Sequence, residues 1–202
     1  MGVNVAKDRE GIAVHTMNPV HRRGPVFYAS LPRDAETPKG LMTNGEEARR
    51  RLVSILWDHL AAMDSPLWTF CRSSNRAAFP IQVVRDPLGK PHLLLGAHRG
   101  PANSFSEGGG KVWAALCGDE SDMGIDVAEA VEFQGKYAFR RVFNAQELEH
   151  ALALAGGDLW KASAQLWSVK EAVVKALGCA SHFVDPLQIH VYPSIGGDTG
   201  GG

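Results

Sequence analysis

The sequence predicts an α+β fold in two similar lobes, and three observations carry that expectation. Its elements run helix, hairpin, then hairpin, helices and strand, so related sets lie on either side of residue 102. The chain has 202 residues, 45% of them hydrophobic, which is ample for one domain or two small cores. Glycine dominates from Gly196 to Gly202, the composition of a disordered tail. The expected division is a lobe over 1–102, a second over 103–195, and a flexible segment over 196–202.

Each element rests on local chemistry. Residues 1–45 are rich in Pro, Gly and Arg, with one short apolar run at Val26-Phe-Tyr-Ala29, and read as extended or loop-like. Asn44, followed by Glu46 and Glu47, suits a helix N-terminus; Leu52, Ile55, Leu56 and Leu60 then share one face to about Met63. Ile81–Val84 and His92–Leu95 flank Asp86-Pro-Leu-Gly89, which has the residues of a hairpin turn. Lys111–Leu116 and Met123–Val127 flank Cys117–Asp122 and predict a second hairpin. Asn144-Ala-Gln-Glu147 has the spacing of a capping box, opening a helix with apolar Leu148, Leu152 and Leu154. A further helix carries Trp167 and stops at Gly178, and Leu187–Tyr192 alternates like a strand.

Charge and cysteine usage narrow the function. A net charge of −1 and a pI near 6.7 give no basic field for nucleic acid or an anionic membrane. Cys71, Cys117 and Cys179 lie far apart without a C-x-x-C pair, the pattern of reduced, buried thiols rather than a disulfide framework or zinc site. Met1–Ala6 has neither the basic nor the apolar region of a signal peptide, and no apolar run approaches membrane-spanning length. A cytoplasmic, soluble protein is expected. No H-E-x-x-H, P-loop or nucleophile elbow is present.

Two segments carry the chemistry: Met123-Gly-Ile-Asp-Val-Ala-Glu129 and Leu166-Trp-Ser-Val-Lys-Glu-Ala-Val-Val-Lys-Ala-Leu-Gly178. The first reads as an apolar strand delivering Asp126. The second reads as a helix with Trp167, Glu171, Val174 and Lys175 on or near one face. A strand carboxylate and a helix carboxylate suit Mg²⁺, which takes one or two carboxylates plus waters and substrate phosphates. Taken singly, Asp126 is also what a strand-end turn uses. Glu171 and Lys175 also fit an exposed i,i+4 pair worth about 0.2–0.5 kcal/mol.

With Gly124-Ile-Asp126 followed by Trp167-Ser-Val-Lys-Glu-Ala-Val-Val-Lys175, and Arg141-Val-Phe143 and Glu147 between them, the chain resembles the 4′-phosphopantetheinyl transferases over roughly residues 89–191. The length implies the larger, Sfp-type subgroup, a pseudo-dimer of two lobes in one chain, acting as a monomer. The implied reaction is Mg²⁺-dependent transfer of 4′-phosphopantetheine from coenzyme A to a serine of an apo acyl or peptidyl carrier protein. By the same resemblance Asp126 and Glu171 hold Mg²⁺, Glu171 helps deprotonate the serine, and Lys175 balances the leaving phosphate. Lys170 lies either near the phosphates or in solvent. Lys90 and Pro91 of a G-K-P segment would lie against coenzyme A, or simply form a turn and strand start. Arg50 would approach its phosphates, or belong to a solvated face of three arginines. Ser104, Ser106 and the amides of Gly108–Gly110 form either an anion-binding nest or a tight turn.

Two positions depart from the family pattern. Glu107 stands where a histidine is expected to meet a phosphate, and Ala128 stands where many members have a middle acidic ligand. These departures motivate an alternative: a catalytically weakened homologue that binds coenzyme A or a carrier protein.

Overall fold

The computed structural model describes residues 3–8, 10–18, 24–33, 45–62, 81–117, 122–135, 137–179 and 184–192. Strands β1 (Val3–Lys7), β2 (Ala13–Met17) and β3 (Val26–Pro32) come first, so the extended reading of the N-terminal region resolves into a meander. Helix α1 (Gly45–Ala62) has Glu46 and Glu47 in its first turn, where carboxylates favour the helix dipole. Asn44, its expected cap, lies outside the described residues. Strands β4 (Ile81–Arg85) and β5 (Pro91–Leu95) form the expected hairpin, and β6 (His98–Arg99) adds a short third strand.

The second expected hairpin is replaced by another. Strand β7 (Asn103–Gly108) pairs antiparallel with β8 (Lys111–Cys117). The turn between them is Gly109-Gly110, at φ +62° and +66°. Two successive left-handed residues make the tight hairpin turn that glycine adopts at least cost. The tight-turn reading of this stretch therefore holds in the backbone. Beyond β8, Asp122–Glu129 runs extended but joins no sheet.

β8 also pairs with β3, giving an antiparallel sheet in the order β1-β2-β3-β8-β7. The expected boundary near residue 102 thus falls between two segments whose strands share one sheet. Alternation sorts this sheet's residues onto two faces. Phe27, Ala29 and Leu31 of β3, with Val112, Ala114 and Leu116 of β8, join Leu52, Leu56, Trp57 and Leu60 of α1 in the main core. The opposite face presents Val26, Tyr28, Ala115 and Cys117, packed with Met123 and Ile125 of the extended segment.

A helical layer follows. Helix α2 (Ala145–Leu154) opens with the predicted capping box between Asn144 and Glu147; Leu148 and Leu152 pack inward while Leu154 is exposed. Helix α3 (Leu159–Leu177) is capped by Asp158 and ends at Gly178. Phe133, Tyr137, Phe139, Phe143 and Trp160 pack ring against ring in this layer, and Trp167 joins their cluster. The predicted last strand is instead a 3₁₀ turn at Pro186–Gln188, started by Asp185 and Pro186, followed by irregular chain to Tyr192. Proline suits a helical first turn, and that local chemistry overrides the alternation. The tail from Gly196 lies outside the described residues, among which no helix is long and apolar enough to cross a membrane.

Candidate functional site

Asp126 is held by side chains in place of a strand ladder. On β7, Ser104 and Ser106 are buried and two residues apart, so their hydroxyls share one face. Ser104 Oγ accepts from the Ile125 amide at 3.1 Å, and Ser106 Oγ accepts from the Val127 amide at 3.2 Å. From α3, Ser168 Oγ accepts the Ala128 amide at 2.9 Å. Three amides of the extended segment are thereby satisfied without a neighbouring strand. Gly124 sets the approach to α3: a Cβ there would sit 1.8 Å from the Ala172 carbonyl oxygen. Only glycine fits so close a backbone contact.

This packing brings Asp126, Lys175 and Ser106 together. Lys175 Nζ donates to Asp126 Oδ1 at 2.6 Å, and the Ser106 hydroxyl donates to the same oxygen at 2.9 Å. The ammonium also lies 3.2 Å from the Phe105 and Ile125 carbonyl oxygens and 3.3 Å from Ser106 Oγ. Glu171 lies one helical turn before Lys175 and is half-buried. Burial raises the pKa of its carboxyl above the ordinary glutamate value; the charge of Asp126 adds to the rise, and Lys175 opposes it. Among the described residues Glu171 has no hydrogen bond or ion pair of its own.

Beside these residues lies a cleft of about 410 Å³, lined by Arg49, Arg85, Lys90, Ser106, Glu107 and Lys175 among others. Four cations and one carboxylate line its walls, and each cation has a carboxylate partner, Glu46, Glu107, Asp122 or Asp126. Lys90 and Pro91 both line it, at the start of β5. Lys90 Nζ is committed to Asp122 Oδ1 at 2.6 Å and to the Ala176 carbonyl at 2.8 Å, near the C-terminal end of α3. Its hydrogen bond is the main reason that the pKa of Asp122 is lowered. Glu107 lines the cleft and pairs with Arg49 at 2.6 Å, while Arg33 stands 3.7 Å from its other oxygen.

Two expected phosphate ligands lie elsewhere. Arg50 is exposed and faces Glu47 at 3.8 Å; one residue along a helix turns the side chain about 100°, and it is Arg49 that reaches the cleft. Lys170 neither lines the cleft nor reaches solvent. It is buried, 2.5 Å from Glu147 Oε1, and donates to the Val142 and Pro186 carbonyls at 3.0 and 2.7 Å. Its partner Glu147 also accepts the Asn144 and Val191 amides. The sequence reading missed Arg49, Arg85 and Ser168. Arg85, next to the recognised Asp86-Pro-Leu-Gly89 turn, carried a signal, whereas Ser168 carried none apart from its place in the Trp167 motif. Cys117 is buried as expected, Cys179 is exposed at the cleft rim, and Cys71 lies outside the described residues.

Among the described residues, no three His, Cys, Asp or Glu side chains group as a metal cluster. A cation at Asp126 would therefore draw on hydroxyl, carbonyl, water or ligand oxygens. Hydroxyl and carbonyl oxygens already surround the Lys175 ammonium, so the donor set fits a hard divalent ion such as Mg²⁺.

Over residues 122–198 the chain matches the family model of the 4′-phosphopantetheinyl transferase superfamily, a stretch that includes Asp126, Glu171 and Lys175. No curated protein matches the chain.

Proposed function

We propose that the protein is a Mg²⁺-dependent transferase of the Sfp type that moves 4′-phosphopantetheine from coenzyme A to a serine of an apo carrier protein. The observation that carries this reading is the joining of Asp126, Glu171 and Lys175 beside a cationic cleft, within the stretch that matches the superfamily. The protein would work as a cytoplasmic monomer, with acyl or peptidyl carrier proteins as its macromolecular substrates.

The chain's own residues have defined tasks. Asp126 and Glu171 would hold Mg²⁺, which when bound neutralises pyrophosphate charge. Arg49, Arg85 and Lys175 attract the phosphates of coenzyme A into the cleft. Glu171 takes the proton of the carrier serine, a task that its raised carboxyl pKa favours. The serine oxygen bonds to the β-phosphorus, the bridging P–O bond breaks, and adenosine 3′,5′-bisphosphate leaves. Lys175 offsets the charge that grows on the leaving oxygen. Lys170, held by Glu147, is better read as a support for α3 than as a ligand of coenzyme A.

The test is intact mass spectrometry of apo carrier proteins incubated with this protein, coenzyme A and Mg²⁺. The expected result is a mass gain of one phosphopantetheine, lost in Asp126→Ala and in Glu171→Ala. A second reading, a coenzyme A- or carrier-binding homologue with little turnover, is favoured by one contact: Glu107 already occupies Arg49 in the cleft. It predicts no mass gain on any carrier while calorimetry still records coenzyme A binding.

A further inference from the structure

The surroundings of the Lys175 ammonium exceed what a lysine needs. An ammonium has three N–H donors. Here four oxygens lie within hydrogen-bonding range: Asp126 Oδ1, the Phe105 and Ile125 carbonyls, and Ser106 Oγ. They come from β7 and from the extended segment, two pieces of chain held in place independently of the lysine by the Ser104, Ser106 and Ser168 hydroxyls. A carboxylate, a hydroxyl and two backbone carbonyls form the oxygen set that hard divalent cations take. Glu171 lies one helical turn before Lys175 on α3, with no hydrogen bond or ion pair of its own among the described residues.

We propose that Lys175 is a tethered cation filling this oxygen cage, and that a divalent ion and the lysine exchange places there when an anionic ligand enters the cleft. The proposal rests on the reading of Asp126 and Glu171 as metal ligands. Its physical basis is charge. Asp126, Glu171 and Lys175 together carry −1, so the lysine alone leaves a deficit that a divalent ion would overfill. Two cations on one carboxylate oxygen repel each other, and the lysine is the mobile one. Its stem is a flexible four-carbon chain, its side chain is 30% exposed, and it already lines the cleft. A polyanion bound among Arg49, Arg85 and Lys175 gives the displaced ammonium a new partner. Metal and anion then strengthen each other's binding, and by linkage the coupling is the same in both directions.

The experiment measures Mn²⁺ binding to the full chain by electron paramagnetic resonance, with and without saturating adenosine 3′,5′-bisphosphate. Mn²⁺ favours oxygen ligands as Mg²⁺ does and is directly visible. In the unaltered protein the bisphosphate is expected to tighten Mn²⁺ binding roughly 10-fold, inside the usual range of coupling between sites. Lys175→Met is expected to bind Mn²⁺ about that much more tightly without any bisphosphate, and to gain less when it is added, because its cage is already free. Lys175→Gln serves the same purpose if the methionine variant loses its helical circular dichroism.

Equal or weaker Mn²⁺ binding in these variants overturns the exchange. So does an undiminished gain from the bisphosphate, which would mean that its phosphates simply bridge to the metal. Transfer activity separates this inference from the proposed function. Failure to modify any carrier with the Mn²⁺ exchange intact would remove the function alone. Successful transfer with no effect of Lys175→Met on Mn²⁺ would remove the exchange alone.

Discussion

Helix α3 carries two lysine–carboxylate pairs five residues apart, and they are built in opposite ways. Lys170 and Glu147 leave only 2% and 4% of their side chains exposed, and backbone groups complete both partners: two carbonyls for the lysine, two amides for the glutamate. Lys175 is 30% exposed on a cleft wall, and its partner Asp126 is 11% exposed. Burial makes a fully satisfied pair hard to break, because removing one partner leaves the other charged and dry. An open pair is screened by water and can trade partners. The difference teaches that α3 is fastened at one lysine and leaves the other open on the cleft wall.

The largest expected effect breaks the fastened pair. Lys170→Met should cost about 3–5 kcal/mol of unfolding free energy by leaving Glu147 buried and unpaired. The double variant Lys170→Met/Glu147→Leu should recover much of that loss, since a packed apolar pair is often neutral. Denaturant unfolding of the two variants checks both statements. Lys175→Met should reverse the pattern, costing only about 1–3 kcal/mol of stability because Asp126 keeps the Ser106 hydroxyl and some contact with solvent. Transfer rate should fall by about 100- to 1,000-fold, the usual loss on removing one electrostatic contact to a transition state. A variant losing activity only in proportion to its folded fraction would erase the contrast between the two lysines.

Gly124→Ala comes next. Its added methyl must push α3 away from the Asp126 segment, an overpacking expected to cost about 1–3 kcal/mol. Thermal unfolding measures that cost. The same displacement should separate Asp126 from Lys175 and lower transfer rate well beyond the stability loss.

Local chemistry in the sequence was enough to place much of this. The Asn144 capping box, the Asp86-Pro-Leu-Gly89 hairpin, the Gly178 stop and the grouping of Asp126 with the Trp167 helix were all legible because each depends on residues close in sequence or on one paired motif. The hairpin that failed did so through competition: β8 is paired on one side with β3 and on the other with β7 across two glycines, which leaves no edge for Met123–Val127. That segment looked like a strand because it is extended and half-buried, but its amides are met by serine hydroxyls from β7 and α3, which no periodicity records. The exchange of Arg50 for Arg49 is a matter of helix phase within three identical residues. The Lys170 pair escapes a local reading because its partner Glu147 is 23 residues earlier and already has a capping role there.

The smallest effect is a pH dependence, and it sharpens the comparison by isolating Glu171. Burial, followed by repulsion from Asp126, holds its folded-state pKa above the ordinary value of 4.5. The folded protein therefore retains this proton at pH values where the unfolded chain has released it. Its contribution is fully present below the unfolded pKa and is lost as pH rises through the folded one. Metal-free protein should thus lose a little stability across the pH range just above 4.5 on account of this residue. Glu171→Gln cannot titrate and should remove that part of the slope, which paired denaturant titrations in chelator will detect. An unchanged slope would mean that Glu171 is hydrated like a surface carboxylate. The contrast between an open chemical pair and a closed structural one would then have to rest on Asp126 and Lys175 alone.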